Sequence, residues 1–275
     1  MLEDLILDPG LDGRVVRHGA GEVLVRRHRH EELEVNLVVR GTARYLVGDR
    51  CYDLAPGALT WLFPGQEHVL VDQSADHVLW WAVFRPRLVA RIAEAVQSDS
   101  LLDDDPPGQF SRRLDYPQTQ RLGSLFHEVR AAQGVDDAVA NTGLAYLLAT
   151  SWRAFLDSRR PVEGVVVHPG VEKAVQLLRS EADTMDLPHL ARAVDLSPSH
   201  LSRLFRAQVG MPVSRYRNQQ RLQRFFAIYG HGRRLPALTA ALRAGFGSYP
   251  QFYRVLREET GQTIATLRRA TVPPR

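Results

Sequence analysis

The chain has 275 residues, with 44% hydrophobic and 24% charged side chains, an ordinary globular balance with enough apolar residues for a core. This length exceeds the roughly 100–200 residues of a usual single domain and predicts two domains. The longest apolar run, Val78–Phe84, falls well short of the ~18 residues that span a bilayer, and the N-terminus lacks a secretory profile. Because the one cysteine, Cys51, excludes an internal disulfide, we expect a cytoplasmic protein with no membrane partner.

The net charge of +4 is divided unevenly along the chain. Residues 171–275 contain 17 Lys and Arg against 7 Asp and Glu, whereas residues 1–170 contain 18 against 24. A basic last third beside an acidic remainder indicates an anionic partner for one domain, and nucleic acid is the commonest such partner. Charge alone leaves open the alternative of an arginine-rich but inert surface.

Short runs of β-forming residues lie between about residues 14 and 85, and each ends at a turn. The clearest runs are Leu33–Val39, Ala43–Val47, Leu59–Phe63 and Val78–Phe84. Strands this short, at nearly regular spacing, predict an antiparallel sandwich or small barrel. Because helical patterns fill most of the remaining sequence, the expected fold class is α+β.

Helical periodicity begins at residues 87–97 and returns at 117–133 and 137–157. Gly134 and the acidic pair after it separate the last two stretches, which favours an antiparallel helical hairpin. The hairpin serves either as plain packing or as a dimer surface, and we favour a homodimer. The predicted domains are a β-barrel at 1–105, the hairpin with a linker at 106–165, and a helical domain at 170–275.

The last hundred residues contain an internal repeat. Eight positions recur at an offset of 51: Ser197, Leu201, Arg203, Phe205, Arg206, Gly210, Tyr216 and Arg217 return as Ser248, Phe252, Arg254, Leu256, Arg257, Gly261, Leu267 and Arg268. Upstream, Leu187, Ala191 and Val194 return as Ala237, Ala241 and Ala244 at an offset of 50. A supersecondary unit has therefore been used twice.

Each copy of the repeat has the layout of a helix-turn-helix. A short helix and a tight turn lead to Ser197, a good helix cap, and Gly210 ends the second helix. The second copy uses Ser248 and Gly261 in the same places. In a helix-turn-helix the second helix enters the DNA major groove.

Arg203 and Arg254 occupy equivalent positions on the two second helices. The guanidinium fork matches the O6 and N7 atoms of guanine, so these two arginines are candidates for base recognition. Phosphate contacts better suit the arginines that follow them, Arg206, Arg217, Arg257 and Arg268. Residues 215–232 are long enough for one connecting helix, which would hold the recognition helices about one DNA turn, ~34 Å, apart.

Residues from about 171 to 270 resemble the DNA-binding domain of the AraC/XylS family of transcriptional regulators. The residues that carry the resemblance are Leu190-Ala191, Ser197, Leu201, Arg203, Phe205, Gly210, Pro212, Tyr216, Arg221-Leu222, Gly245-Phe246, Phe252, Arg254, Gly261 and Arg268. The resemblance implies promoter DNA as a partner, and RNA polymerase if the protein is an activator. The predicted DNA-binding residues are Ser199, His200, Ser202, Arg203, Arg206, Ser248, Pro250, Gln251, Arg254 and Arg257.

A pattern of metal-ligating residue types lies near the start of the barrel. His28, His30 and Glu34 are spaced so that, on a strand, all three side chains lie on one face. With His68, they resemble the cupin signature, in which three histidines and a glutamate bind a divalent metal inside a small β-barrel. Such ligands suit Zn, Ni, Fe or Mn, and the alternative is a metal-free polar pocket. The predicted effector pocket comprises His28, His30, Glu34, Tyr45, Trp61, His68 and Trp80.

Two functions remain in competition. The first is a transcriptional regulator, not an enzyme, whose cupin-like barrel senses a small molecule, such as a sugar, and whose last domain binds promoter DNA. The second is a metal-dependent cupin enzyme, an isomerase or dioxygenase, that carries an ancillary helical domain. Two arginine-bearing recognition helices favour the regulator because an enzyme has no need of them.

Overall fold

The computed structural model describes residues 5, 7–19, 29–180, 185–229 and 235–269. The chain divides into two compact units, which we call the first unit (Met1–Val166) and the second unit (Val167–Arg275). In the described ranges, no helix is both long enough and apolar enough to cross a membrane.

In the described part of the first unit, the first seven strands all precede the first helix. The strands are β1 (Gly13–Gly19), β2 (Leu33–Arg40), β3 (Ala43–Val47), β4 (Arg50–Leu54), β5 (Ala58–Leu62), β6 (His68–Gln73), β7 (Val78–Phe84), β8 (Ser111–Arg113) and β9 (Val165–Val166). The helices are α1 (Pro86–Val96), α2 (Tyr116–Ala132) and α3 (Asp137–Asp157), with a 3-10 turn at Asp99–Leu101.

Two antiparallel sheets build the first unit, with strand orders β1-β7-β2-β5-β8 and β6-β3-β4-β9. One buried apolar cluster takes side chains from both sheets: Val38, Ala43, Tyr45, Tyr52, Leu54, Ala58 and Leu62. The sheets therefore face each other, and the predicted antiparallel architecture and α+β class are confirmed. A side chain on a given strand points either into this interior or toward the opposite, outer face.

The outer face of the five-stranded sheet is covered by the helical hairpin α2–α3. Trp61 and Trp80 from the sheet pack against Trp152 and Phe126 of the helices, with ring centroids 5.2 Å and 5.9 Å apart. The helices begin where capping residues allow: Asp115 accepts the N–H of Gln118 at the start of α2. These rings belong to an apolar cluster that also takes aliphatic side chains from the sheet and the helices.

The chain after α3 differs from the sequence prediction. Residues 160–166, part of the predicted linker and called the strap below, are attached to the sheets: the N–H of Arg113 donates to the carbonyl of Arg160, and β9 pairs with β4. The strand β8, inside the predicted hairpin region, adds to the first sheet beside β5. Strands of two and three residues are too short to show a periodic pattern, so the sequence could not predict them.

The second unit is helical. Its helices are α4 (Pro169–Ser180), α5 (Leu187–Ala193), α6 (Pro198–Val209), α7 (Val213–Tyr229), α8 (Ala237–Arg243), α9 (Tyr249–Thr260) and α10 (Ile264–Arg269). The hydroxyls of Ser197 and Ser248 accept N–H groups in the first turns of α6 and α9, and Gly210 and Gly261 end these helices with φ of 86° and 66°. The predicted caps and ends of both recognition helices are therefore confirmed.

Candidate functional site

A cluster of three ionisable side chains lies buried in the first unit. His30 Nε2 is 2.9 Å from Glu34 Oε2, and His68 Nε2 is 3.7 Å from the same oxygen. Each of the three residues is 2% exposed. One ligand atom from each lies within 4.8 Å of the others, an arrangement able to hold a metal ion. We call these residues the buried triad.

The backbone fixes which nitrogen of each histidine faces Glu34. His30 Nδ1 is 2.9 Å from the carbonyl oxygen of Glu32, and His68 Nδ1 is 3.0 Å from that of Gln66. A carbonyl oxygen only accepts, so Nδ1 must carry the proton in both rings. The neutral rings therefore direct Nε2 lone pairs toward the Glu34 carboxylate, and two acceptors face each other unless a proton or a cation lies between them.

The surroundings of the triad support a positive charge. Burial lowers the pKa of His30, but the hydrogen bond to Glu34 and the charges of Glu34 and Glu32 outweigh it, so the pKa is raised overall. Asn36 donates to the second oxygen of Glu34 at 2.6 Å. Burial, together with the nearby Glu34 charge, also raises the pKa of Tyr45, which stays a neutral phenol.

The predicted pocket residues divide between two faces. His28 lies outside the described residues. His30 precedes β2 rather than lying on it, so strand alternation does not explain how it reaches Glu34. Tyr45 joins the apolar cluster between the sheets.

For Trp61 and Trp80 the pocket prediction is wrong. Trp61 pairs across strands with Val35, which is next to Glu34 in β2 and therefore lies on the opposite face of the sheet. Trp80 packs on α2, so both tryptophans lie on the outer face. Cross-strand partners share a face, and only the register, which the sequence alone does not give, reveals it.

The predicted pocket leaves out two residues on the face of Glu34. Asn36 is two positions further along β2, and Trp81 is its cross-strand partner on β7. The ring of His18 meets Trp81 edge-on, 6.0 Å away. Period-two alternation from Glu34 would have identified Asn36, whereas Trp81 required the register.

The second unit exposes two equivalent stripes. On α6, Ser199, Arg203 and Arg206 are spaced i, i+4, i+7 and are all exposed. On α9, the residues at an offset of 51 are Pro250, Arg254 and Arg257, and they are exposed as well. We call these sets the first and the second stripe. The connecting helix α7, 17 residues long, spans about 25 Å at 1.5 Å per residue.

Other predicted DNA-binding residues have structural contacts. Ser248 caps α9, and the side-chain oxygen of Gln251 accepts the N–H of Gly247 at 3.0 Å. The ring of His200, half-buried, lies 6.4 Å from that of His168. Ser202 is half-buried on a neighbouring face of α6.

Arg217 does not have the exposure expected of a phosphate contact. It is half-buried, and its Nη1 donates to the carbonyl of Met185 at 2.9 Å. The side chain of its counterpart in the second copy, Arg268, lies outside the described structure.

Both halves of the chain match known families. Residues 190–270 match the model of a helix-turn-helix domain, and residues 14–149 match that of an AraC-like ligand binding domain. The chain is 26% identical to the HTH-type transcriptional activator RhaR of Cronobacter sakazakii, covering 86% of this chain and 84% of that protein. It is 28% identical to the Arabinose operon regulatory protein of Escherichia coli K12, covering 85% and 79%. The structure of ToxT from Vibrio cholerae O395 aligns over 95% of this chain and 99% of that chain, with a TM-score of 0.39 and 10% identity.

Proposed function

Because the chain belongs to the AraC family of transcriptional regulators, we propose that its second unit recognises promoter DNA through Arg203 and Arg254. As in that family, the first unit binds a small molecule and the second binds DNA. The observation that carries the assignment of residues is the pair of equivalent exposed stripes on two capped recognition helices. Each stripe offers one arginine at its centre for a base and one at its end for a phosphate.

A mobility shift on the promoter region beside the gene tests this assignment. Arg203→Ala should lose about 1–3 kcal/mol of discrimination at one base pair while other positions keep theirs. Arg192→Ala, an exposed arginine on α5, is the matched control and should keep the full sequence preference. Equal weakening on every sequence would instead make Arg203 a phosphate contact.

We propose that the small molecule is a sugar and that it lies between the sheets beside Glu34 and Asn36. A buried carboxylate and amide suit hydroxyl groups, and Tyr45 and Trp81 offer aromatic surface on the same side. The E. coli relative is named for the arabinose operon, so arabinose is the first probe. Heat released on titration should be lost in Asn36→Leu; unchanged arabinose binding in this variant would place the sugar elsewhere.

The strap offers a physical route from the interior to the second unit. Val162 packs on the apolar cluster between the sheets, and Gly164 lies so close to the ring of Tyr52 that a Cβ there would overlap it. Arg50 and Gln109 hold the backbone of Gly164 from either side, at 3.3 and 2.7 Å. We propose that effector binding changes the strap's contacts and thereby biases the second unit between DNA-binding arrangements.

We propose that the buried triad holds a divalent metal, with Zn, Ni, Fe and Mn as the candidates. The triad fits such an ion because both Nδ1 protons are taken by carbonyls and both Nε2 lone pairs point at a buried carboxylate. A bound metal would supply positive charge for an oxygen of the effector. Elemental analysis should find metal in the purified protein and in His77→Ala, a buried histidine outside the triad, but not in His68→Ala. A wild-type protein that stays metal-free after supplementation removes this proposal.

We propose that the protein is a homodimer through the outer face of α3. Val139 and Tyr146 are 58% and 54% exposed and lie two turns apart on the same face. Sedimentation should show a dimer that Tyr146→Glu converts to a monomer, whereas a wild-type monomer at tens of micromolar would contradict the proposal. RNA polymerase becomes a further partner if the protein activates transcription.

We propose, finally, that the protein is a cytoplasmic regulator and not an enzyme. The relatives that it matches over most of its length include transcription regulators. Its single thiol is no nucleophile, because burial raises the pKa of Cys51 to about 12. Turnover of a sugar by the metal-loaded protein, with no DNA binding at low salt, would favour the alternative of a metal-dependent cupin enzyme.

A further inference from the structure

A cleft of about 230 Å³ lies in the second unit, where the end of α6 meets the start of α7. Two arginines, Arg206 and Arg217, and two serines, Ser202 and Ser214, are among the residues that line it. Leu187 and Val213 supply apolar surface. None of the described residues that line the cleft is acidic and two are arginines, a combination that suits an anionic ligand.

The donors in the cleft are largely unused within the described part of the chain. Arg206 is exposed and forms no ion pair or side-chain hydrogen bond there. Arg217 donates from Nη1 to the carbonyl of Met185, and its buried Nε has no partner among the described residues. The Met185 contact fixes the guanidinium in place, so the remaining N–H groups are oriented in advance.

We propose that this cleft receives a phosphate of the DNA backbone, held by Arg206, Arg217 and the hydroxyl of Ser214. The inference rests on the proposed function, because Arg206 belongs both to the cleft and to the first stripe. An α6 that places Arg203 in the major groove brings the sugar-phosphate backbone to the groove's edge, where contacts position the protein without reading sequence. Arg217 thus acts from inside the cleft rather than as an exposed arm.

The second copy of the repeat lacks the two hydroxyl donors, although Arg206 and Arg217 return there as Arg257 and Arg268. At an offset of 51, Ser202 is replaced by Tyr253 and Ser214 by Ala265, and two glutamates, Glu258 and Glu259, follow Arg257. The hydroxyls of the proposed site therefore belong to the first copy alone. The site anchors the first recognition helix.

Ser214→Asp is the sharpest test of the cleft. Ser214 is exposed in the first turn of α7, where a carboxylate is favourable to the helix, so the variant should melt no lower than the wild type. The carboxylate would repel a phosphate, and affinity for a labelled 30-base-pair duplex of arbitrary sequence should fall about tenfold. Gln262→Glu, exposed on the second copy, makes the same change in net charge and should have little effect.

The double variant Ser214→Asp, Arg206→Gln separates one site from two. If both residues hold the same phosphate, the affinity of the double variant for the duplex should be close to that of the weaker single variant. If the fold-losses of affinity in the two single variants multiply, the residues contact different phosphates and the proposal is overturned. Equal effects of Ser214→Asp and Gln262→Glu would overturn it as well, while leaving wild-type DNA binding, and hence the proposed function, intact. A wild-type protein that binds no duplex even at low salt would instead remove both.

Discussion

His77 makes the stability of the first unit depend on pH. It is 1% exposed, and burial lowers its pKa, with the Asp76 charge opposing and His18 adding to the shift. The folded protein therefore holds this ring neutral, while the unfolded chain takes up a proton below its ordinary pKa of about 6.5. The contribution of His77 to the free energy of unfolding is therefore complete above that pH. It is lost as the pH falls below about 6.5 toward the lower pKa of the folded state.

His77→Leu should flatten this dependence. Urea unfolding at pH 7.5 and at pH 5.0, followed by tryptophan fluorescence, gives the difference in unfolding free energy for each variant, so any packing cost cancels. All four tryptophans, Trp61, Trp80, Trp81 and Trp152, lie in the first unit, which the signal therefore reports alone. The same substitution at His127, an exposed position, is the control. An unchanged difference in His77→Leu would show that other groups carry the acid sensitivity.

Residues with local roles could be predicted from the sequence, and residues whose roles depend on distant partners could not. Ser197 and Gly210 were identifiable because a cap is a relation between neighbours in the chain. Trp61 was misplaced because its face is decided by pairing with β2, more than twenty residues away. The buried triad lies between these cases: its ligand types follow a recognisable spacing, but its hydrogen bonds to the carbonyls of Glu32 and Gln66 do not.

Two glycines in the hairpin should respond to alanine with opposite signs. At Gly123 of α2 the nearest atom to a new Cβ, Trp80 Nε1, is 3.8 Å away. Gly123→Ala should therefore raise the free energy of unfolding by about 0.5–1 kcal/mol, because alanine lowers the conformational entropy of the unfolded chain. At Gly143 of α3 the Cβ would lie 2.9 Å from Val129 Cγ2, where the helices approach closely. Overpacking in Gly143→Ala should lower the free energy of unfolding by about 1–3 kcal/mol, which outweighs the entropic gain.

Urea unfolding followed by tryptophan fluorescence measures both variants under identical conditions. Each substitution changes the same residue type in neighbouring helices of one unit, so each serves as the control for the other. Stabilisation by both would mean that α2 and α3 separate readily, and would weaken α3 as a rigid dimer surface.

At the scale of elements, long periodic segments were predictable and short pairings were not. The boundaries of α3 and α9 follow from their own periodicity and caps. The strap carries only two strand residues, and their pairing with Arg50 and Cys51 depends on the edge of a sheet built more than a hundred residues earlier. Much of the predicted linker is therefore attached to the sheets.

At the scale of the molecule, the charge division matches the structural division closely. The basic excess lies in the residues of the second unit, and the acidic excess in those of the first. DNA affinity should therefore fall steeply with salt: log K should decrease by about 0.9 for each tenfold rise in salt concentration and each phosphate contacted. Affinity for an uncharged sugar should not depend on salt in this way.

The strap ends at Val166, and His168 already accepts backbone N–H groups at the start of α4. A six-residue Gly-Ser insertion between Val166, which is exposed, and Val167 lengthens this connection. Because loop entropy grows only slowly with length, DNA affinity without effector should change by no more than about twofold. The factor by which arabinose, or another ligand selected by thermal shift, alters DNA affinity should fall toward one, since a slack chain no longer transmits the strap's displacement.

Titrations in both orders measure that factor, because DNA must change ligand affinity by the same ratio as the ligand changes DNA affinity. A matched insertion at Gly134, in the exposed turn between α2 and α3, should leave the coupling intact. If the insertion after Val166 also preserves the wild-type factor, the signal does not run through the strap. If coupling disappears with ligand and DNA affinities each unchanged, the seven residues of the strap are the element that joins sensing to DNA binding.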